Sequence, residues 1–315
     1  MFAAILPVFA LMFAGFLLRR LRWLTAEADQ SLLRICVNLL LPCLIFESVL
    51  GNAALKRADN LIWPPLIAIC TVLGGIGVGW MMSGLAGLKQ SAERRTFALT
   101  AGLQNYGYVP IPLCLLLFDP GTVGVLMVHN VGVEVVLWTA GIAVLSGSGF
   151  RGGWRQVVNA PMVALVLALI LNVFSVVPSQ NTHPGLGEVL MTGVHWLGQS
   201  AVPMALLLIG ATIADHLPDL AGGKSARVIQ VATLVRFIIL PPVFMMLARW
   251  LPCSIEMKRV IVVQGAMSSA VLPIALAKHY GGDSRVAMQV VLGTSVIGLV
   301  AIPLWIRFGL HFAGL

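Results

Sequence analysis

The stretch Asn105-Tyr106-Gly107-Tyr108-Val109-Pro110-Ile111-Pro112 sets an amide, two phenols and two prolines inside a run otherwise apolar enough to span a bilayer. Met267-Ser268-Ser269-Ala270-Val271-Leu272-Pro273 does the same with two hydroxyls. Breaking a helix in lipid strands backbone N–H and C=O groups, so such breaks persist only inside protein or beside a water-filled cavity. Two breaks in corresponding places of two halves point to a binding site near the bilayer midplane. Free N–H groups at the N-terminus of a half-helix favour an anion there. Asn105 is the leading site candidate: it either contacts a ligand or caps the break, and one amide serves both. Gln104, Tyr106 and Tyr108 offer further donors, and Gly107 permits close approach. On the second stretch Ser268 and Ser269, with Gln264 one turn earlier, are the polar candidates, although membrane serines also bond back to the i−4 carbonyl or tighten helix packing. Pro110, Pro112 and Pro273 mark the expected crossover.

Charged groups at membrane depth narrow the list further. Glu134 falls mid-span with His129 and Asn130 in the preceding turns, and a charge there costs about 2.5–3.5 kcal/mol on insertion scales. It requires a partner, a proton or water, which makes Glu134, with His129, the proton-coupling candidate. Arg236, also mid-span, either pairs structurally with Glu134 or faces a substrate carboxylate bidentately. Asn38, a turn before Pro42, is placed on the wall of a cavity. His195 and Glu47 lie near an interface, where solvated or snorkelling roles are expected.

These residues need a membrane scaffold, and composition supplies it. The chain has 315 residues, is 59% hydrophobic and 10% charged, and has a mean hydropathy of +0.95. A soluble domain cannot hide that much apolar surface. The net charge of +8 belongs to scattered loop clusters without an aromatic platform, so nucleic acid is not an expected partner. Cys36, Cys43, Cys70, Cys114 and Cys253 form no CxxC pair, which argues against a disulfide framework or a zinc site and for reduced packing residues. No metal or cofactor is expected, apart from coupling to H⁺ or Na⁺. Phe2–Leu18, followed by Arg19, Arg20 and Arg22, reads as a retained first helix rather than a signal peptide.

Ten spans fit the pattern: 2–18, 32–50, 61–86, 95–117, 121–145, 157–177, 191–214, 226–248, 258–279 and 286–310. Pro64 and Pro65 are expected at the start of the third, a tolerated position. Gly75 and Gly79 have the spacing of close helix packing. Loops after odd-numbered spans hold 13 Lys and Arg residues and the opposite side 6, so the positive-inside rule puts both termini on the outer side. The longest loop, about 178–190, contains Pro178 and Pro184 and reads as a short interfacial segment at the mirror point. Five spans on each side of residue 150 give two halves, 1–150 and 151–315, of opposite orientation. Pro7 with Pro161, Pro42 with Pro203 and Pro112 with Pro273 recur at offsets of 154, 161 and 161 residues, as an inverted repeat requires.

At these residues the chain resembles the auxin efflux carrier family of secondary transporters, in its compact bacterial form. The resemblance rests on Ile5-Leu6-Pro7-Val8-Phe9 with Gly15 and Arg19-Arg20, Asn38 through Pro42, Asn105 through Pro112, Pro203 with Gly210, Tyr280-Gly281-Gly282-Asp283, and Pro303-Leu304-Trp305. It implies an all-α fold of ten transmembrane helices in two inverted five-helix repeats, with helices 4 and 9 broken and crossing. It further implies a scaffold from helices 1, 2, 6 and 7, and a transport bundle from helices 3–5 and 8–10 that moves elevator-fashion. Its implied substrates are small organic anions, including auxin and dicarboxylates such as malonate, carried across a bacterial inner membrane, with a homodimer as the suspected assembly. One departure stands out. Family members often carry Pro after the methionine of the ninth helix and an Asn soon after; here Ser268 follows Met267, which leads us to expect a shifted or softer second break. An anion channel is the alternative reading. An intramembrane enzyme is disfavoured because no HExxH, Ser/His or paired-Asp constellation shares a membrane depth.

Overall fold

The computed structural model describes residues 2–147, 154–174, 186–216 and 223–315. The boundary near residue 150, Arg151, Pro178 and Pro184 lie outside the described residues. Within them the chain is helical, and the only strand-like pairing is an isolated bridge between Gln104 and Ser269.

Helix α1 (Phe2–Arg20) ends in two arginines, and α2 (Ala26–Ile35) runs through a π turn at Cys36–Leu40 into α3 (Leu41–Val49). The π turn stands just before Pro42, whose missing N–H breaks the regular ladder. Helix α4 (Asp59–Met82) is followed by α5 (Ser91–Gly102), α6 (Pro110–Leu117) and α7 (Pro120–Val136), the last continuing through a second π turn into α8 (Ile142–Ser146). The second half comprises α9 (Ala160–Val173), α10 (Leu186–His216), α11 (Gly223–Leu234), α12 (Leu240–Trp250), α13 (Ile255–Ala266), α14 (Leu272–His279) and α15 (Ser284–Ala313). A third π turn, Val235–Ile239, joins α11 to α12. Among the described residues, six helical segments are long and apolar enough to cross a membrane: Ala26–Val49, Asp59–Met82, Pro120–Ser146, Gly187–Asp215, Ser225–Trp250 and Ser284–Ala313.

Helix starts follow local chemistry. Asp119, Asn159, Ser254 and Asp283 each accept a backbone N–H of the first turn they precede. Pro64 and Pro65 are a correction to the sequence reading. The helix opens earlier, at Asp59, and encloses both prolines. The Asp59 carboxylate at the positive end of the helix, held by Arg57, favours this start two residues ahead of the expected 61.

Four packings position the interior. Helix α1 lies along α10, α3 against α9, and α4 against both α5 and α7. Arg19, 9% exposed, ties the first packing together by pairing with Asp29 of α2 and, at 3.2 Å, with Asp215 of α10. The α4–α5 contact depends on missing side chains. A Cβ on Gly75 would stand 2.4 Å from the carbonyl oxygen of Gly102, and one on Gly79 2.7 Å from that of Ala98. The glycine spacing is therefore one of close backbone packing, as expected, and it holds the last turn of α5 where the chain then leaves the helix.

Candidate functional site

Helix α5 stops at Gly102 and α6 resumes at Pro110; α13 stops at Ala266 and α14 resumes at Leu272. Prolines sit in the first turn of both resumed helices, where their missing N–H costs nothing. The two open segments meet. The Asn105 N–H donates to the Ser268 carbonyl at 2.7 Å, and the Ala270 N–H donates to the Leu103 carbonyl at 3.0 Å. Each segment thus satisfies backbone groups that the other would leave bare in an apolar interior. The Ser269 N–H finds the Thr294 hydroxyl at 3.2 Å, and the Gln264 side-chain amide reaches the Tyr106 carbonyl at 3.3 Å. The second break starts at Met267, although no proline follows it. Tertiary hydrogen bonds fix its position.

A cavity of about 630 Å³ opens on the first break. Asn105, Tyr106, Gly107 and Tyr108 line it from that break, Asn130 and Glu134 from α7, and Ala270, Val271 and Leu272 from the second break. Val37, Leu41 and Ile45 of the α2–α3 helix and Pro161, Met162 and Leu165 of α9 supply an apolar wall opposite. The Glu134 carboxylate sits in the lining with both oxygens engaged: the Tyr106 hydroxyl donates to one at 2.7 Å and the Trp138 indole N–H to the other at 2.6 Å. No Lys, Arg or His lines the cavity among the described residues. Asn105 is 4% exposed, and the main-chain N–H groups of Gly107 and Tyr108, just before α6, have no protein acceptor among the described residues.

The sequence candidates divide. Asn105, Tyr106, Gly107, Tyr108 and Glu134 come together at the cavity. Ser268 and Ser269 of the second break, and Gln264 in the last turn of α13, are not part of the lining and are each at most 3% exposed. His129 is fully buried, 3.4 Å from the Asn130 amide oxygen, and is not part of the lining. Asn38 is exposed and donates to the Arg34 carbonyl at 2.9 Å, away from the cavity where it was expected. Pro110 is buried, and Pro112 lines a separate cleft of about 240 Å³ beside α1 and α10. Pro273 is buried in the first turn of α14.

Arg236 requires a correction. It pairs with neither Glu134 nor the cavity: its Nε and Nη2 donate to the Met267 carbonyl at 3.2 and 2.7 Å. Glu134 already has two donors, and Arg236 is drawn to the open end of α13 instead. His195 and Glu47, assigned separately to an interface, bond to each other at 2.6 Å and join α10 to α3.

Sequence reasoning missed the α9 contribution, although Asn159-Ala160-Pro161 carries the signature of a helix start. It also missed the polar seal at the start of α7 and α13. There Asp119 pairs with Arg259, the Asn52 amide donates to the Pro120 carbonyl at 2.8 Å, and the Ser254 hydroxyl donates to Asn60 at 2.5 Å. The Asn172 amide donates to the Asn52 carbonyl at 3.1 Å, bringing α9 into the same seal.

Comparison with known proteins agrees with a membrane carrier. A family model described as membrane transport protein matches residues 1–153 and 147–306. An uncharacterized transporter of Methanothermobacter thermautotrophicus is 24% identical over 307 residues, covering 96% of both chains. An uncharacterized transporter of Methanocaldococcus jannaschii is 22% identical over 308 residues, again covering 96% of both. These two relatives are archaeal.

Proposed function

The chain belongs to the membrane transport protein family, the auxin efflux carriers of its sequence resemblance, and on that premise we propose that it is a proton-coupled secondary transporter of a small organic anion. The observation that carries this reading is the cavity at the paired breaks, which Asn105, Gly107 and Tyr108 line together with Glu134, the Gly107 and Tyr108 N–H groups having no protein acceptor among the described residues. A mono- or dicarboxylate of malonate size would accept from those donors at the N-terminal end of α6. Among the described residues no basic side chain in the lining offsets Glu134, so in this reading an anion loads favourably when Glu134 carries a proton. Anion and proton then travel together.

In this reading the helices form ten spans in two inverted repeats, residues 1–150 and 151–315, with α5–α6 and α13–α14 as the crossing fourth and ninth. Each half-helix alone is too short to span: 12 and 8 residues rise about 18 and 12 Å at ~1.5 Å per residue. The scaffold is α1, α2–α3, α9 and α10; the remaining helices slide against its apolar wall as an elevator. The richer basic face is cytoplasmic, both termini lie outside, and the host membrane is the cytoplasmic membrane. The suspected homodimer remains an expectation of the resemblance alone.

A second reading is favoured by the same lone carboxylate: Glu134 would hold a cationic substrate directly. Uptake of labelled malonate, oxalate, lactate, indole-acetate and a small quaternary amine into proteoliposomes separates the two. Saturable anion uptake that rises as external pH falls, and is lost in Asn105→Ala, supports the proposal. Amine uptake that falls with pH supports the second reading. Flux that never saturates returns the protein to the channel class.

A further inference from the structure

Helix α13 ends in the protein interior, and its last carbonyls face no following turn. A half-helix C-terminus carries about half a negative charge, and unwound carbonyls beside it are where transporters with broken helices bind a coupling cation. The Met267 carbonyl is such a group. Its recorded donors are the Nε and Nη2 of Arg236, at 3.2 and 2.7 Å. The corresponding carbonyl of the first break, Leu103, is satisfied instead by the Ala270 N–H. Arg236 is fully buried and has no carboxylate within ion-pair distance among the described residues. Arginine keeps its charge in such places, so the negative partner must be the helix end itself. Close by, the Ser269 hydroxyl and both side-chain polar atoms of Gln104, the bridged pair of the breaks, are buried without a protein partner, as is Nη1 of Arg236. Removing the guanidinium would take from the Met267 carbonyl the two donors it has among the described residues.

We infer that Arg236 is a tethered cation that fills the alkali-ion position of the second break, so that the protein binds no Na⁺ there. Two observations point the same way. The donor geometry is that of a cation on a main-chain oxygen, and no second charge balances it. The position is also not a property of the fold's symmetry, since the matching helix α4 carries no charged residue from Asn60 to Met82.

The test uses the purified full chain in detergent and needs no transported substrate, so it stands or fails apart from the function proposed above. Thermal unfolding is followed as NaCl replaces choline chloride at constant ionic strength. The wild-type midpoint should not move with Na⁺. Arg236→Ala should unfold earlier and regain several degrees once Na⁺ exceeds its dissociation constant about a hundred-fold, whereas Arg236→Lys should stay insensitive. Should the alanine variant yield no folded protein, radiolabelled Na⁺ binding to the wild type and to Arg236→Lys decides. Absence of saturable binding in both supports the inference. A Na⁺-raised midpoint or saturable Na⁺ binding in the wild type overturns it, as does an alanine variant as stable as the wild type and indifferent to Na⁺.

Discussion

At the first break, Asn105, Tyr106, Gly107 and Tyr108 face a cavity of about 630 Å³ and one of the phenols holds a carboxylate. At the second, Ser268 and Ser269 are sealed away and a buried arginine holds the helix end. The backbones pair almost symmetrically about Gln104 and Ser269. What differs is the chemistry attached to them. The pairing is the solution to a shared backbone problem, two interrupted helices in an apolar interior, whereas the choice of side chains decides which break presents polar groups to the cavity. A pseudo-symmetric frame therefore does not imply two equivalent half-sites.

The largest effect expected is on the frame itself. Gly102→Val would drive a Cβ to 2.4 Å from the Gly75 backbone, and backbone cannot yield as a side chain tip can. A cost of about 3 kcal/mol or more should show as lost monodisperse protein on size exclusion. Normal yield would mean that the α4–α5 approach is looser than described and that the first break is not fixed by it.

Next comes the difference between the breaks. Asn105→Ala should lower saturable uptake about 10- to 100-fold, the weight of one or two lost polar contacts, while Ser268→Ala should stay within about two-fold of wild type. Equal losses from the two variants would erase the asymmetry.

Glu134→Gln sharpens the comparison in another way. It keeps the shape, leaves the Trp138 N–H an amide oxygen while the Tyr106 hydroxyl can turn to accept from the amide NH2, and removes the titrating charge. If anion loading requires a neutral group here, uptake by this variant should lose its rise at low pH while binding of the anion persists. A pH profile unchanged from wild type would exclude Glu134 from coupling.

The smallest effect lies at the seal away from the cavity. Burial works to raise the Asp119 carboxyl, but the Thr122 amide and hydroxyl and Arg259 outweigh it and hold Asp119 below its ordinary value. Its contribution to stability is complete above the ordinary carboxylate range, near about pH 4, and disappears as pH falls through the lowered value. Half of its side chain is exposed, so solvent screening limits Asp119→Asn to about 0.5 kcal/mol at neutral pH, read as a small drop in unfolding midpoint. A loss several times larger would show that the seal, and not the paired breaks, dominates the stability of this region.

Much of this was legible in the residues alone. Long charge-free runs announce a membrane solvent, and prolines with polar groups inside two such runs announce the breaks, because both signals are local and follow from the cost of bare backbone in lipid. Asn105 through Tyr108 could be named for the same reason. Partner choice was not legible. Glu134 and Arg236 are the two charges that any reader would join, yet Glu134 takes Tyr106 and Trp138 and Arg236 takes a main-chain oxygen. Asn38, equally polar and equally near a proline, turns to its own helix. Sequence determined that helices must break and roughly where, since that depends on residue type and spacing. Only the tertiary structure decided which polar groups share the cavity, since that depends on helix rotation and on partners more than a hundred residues distant.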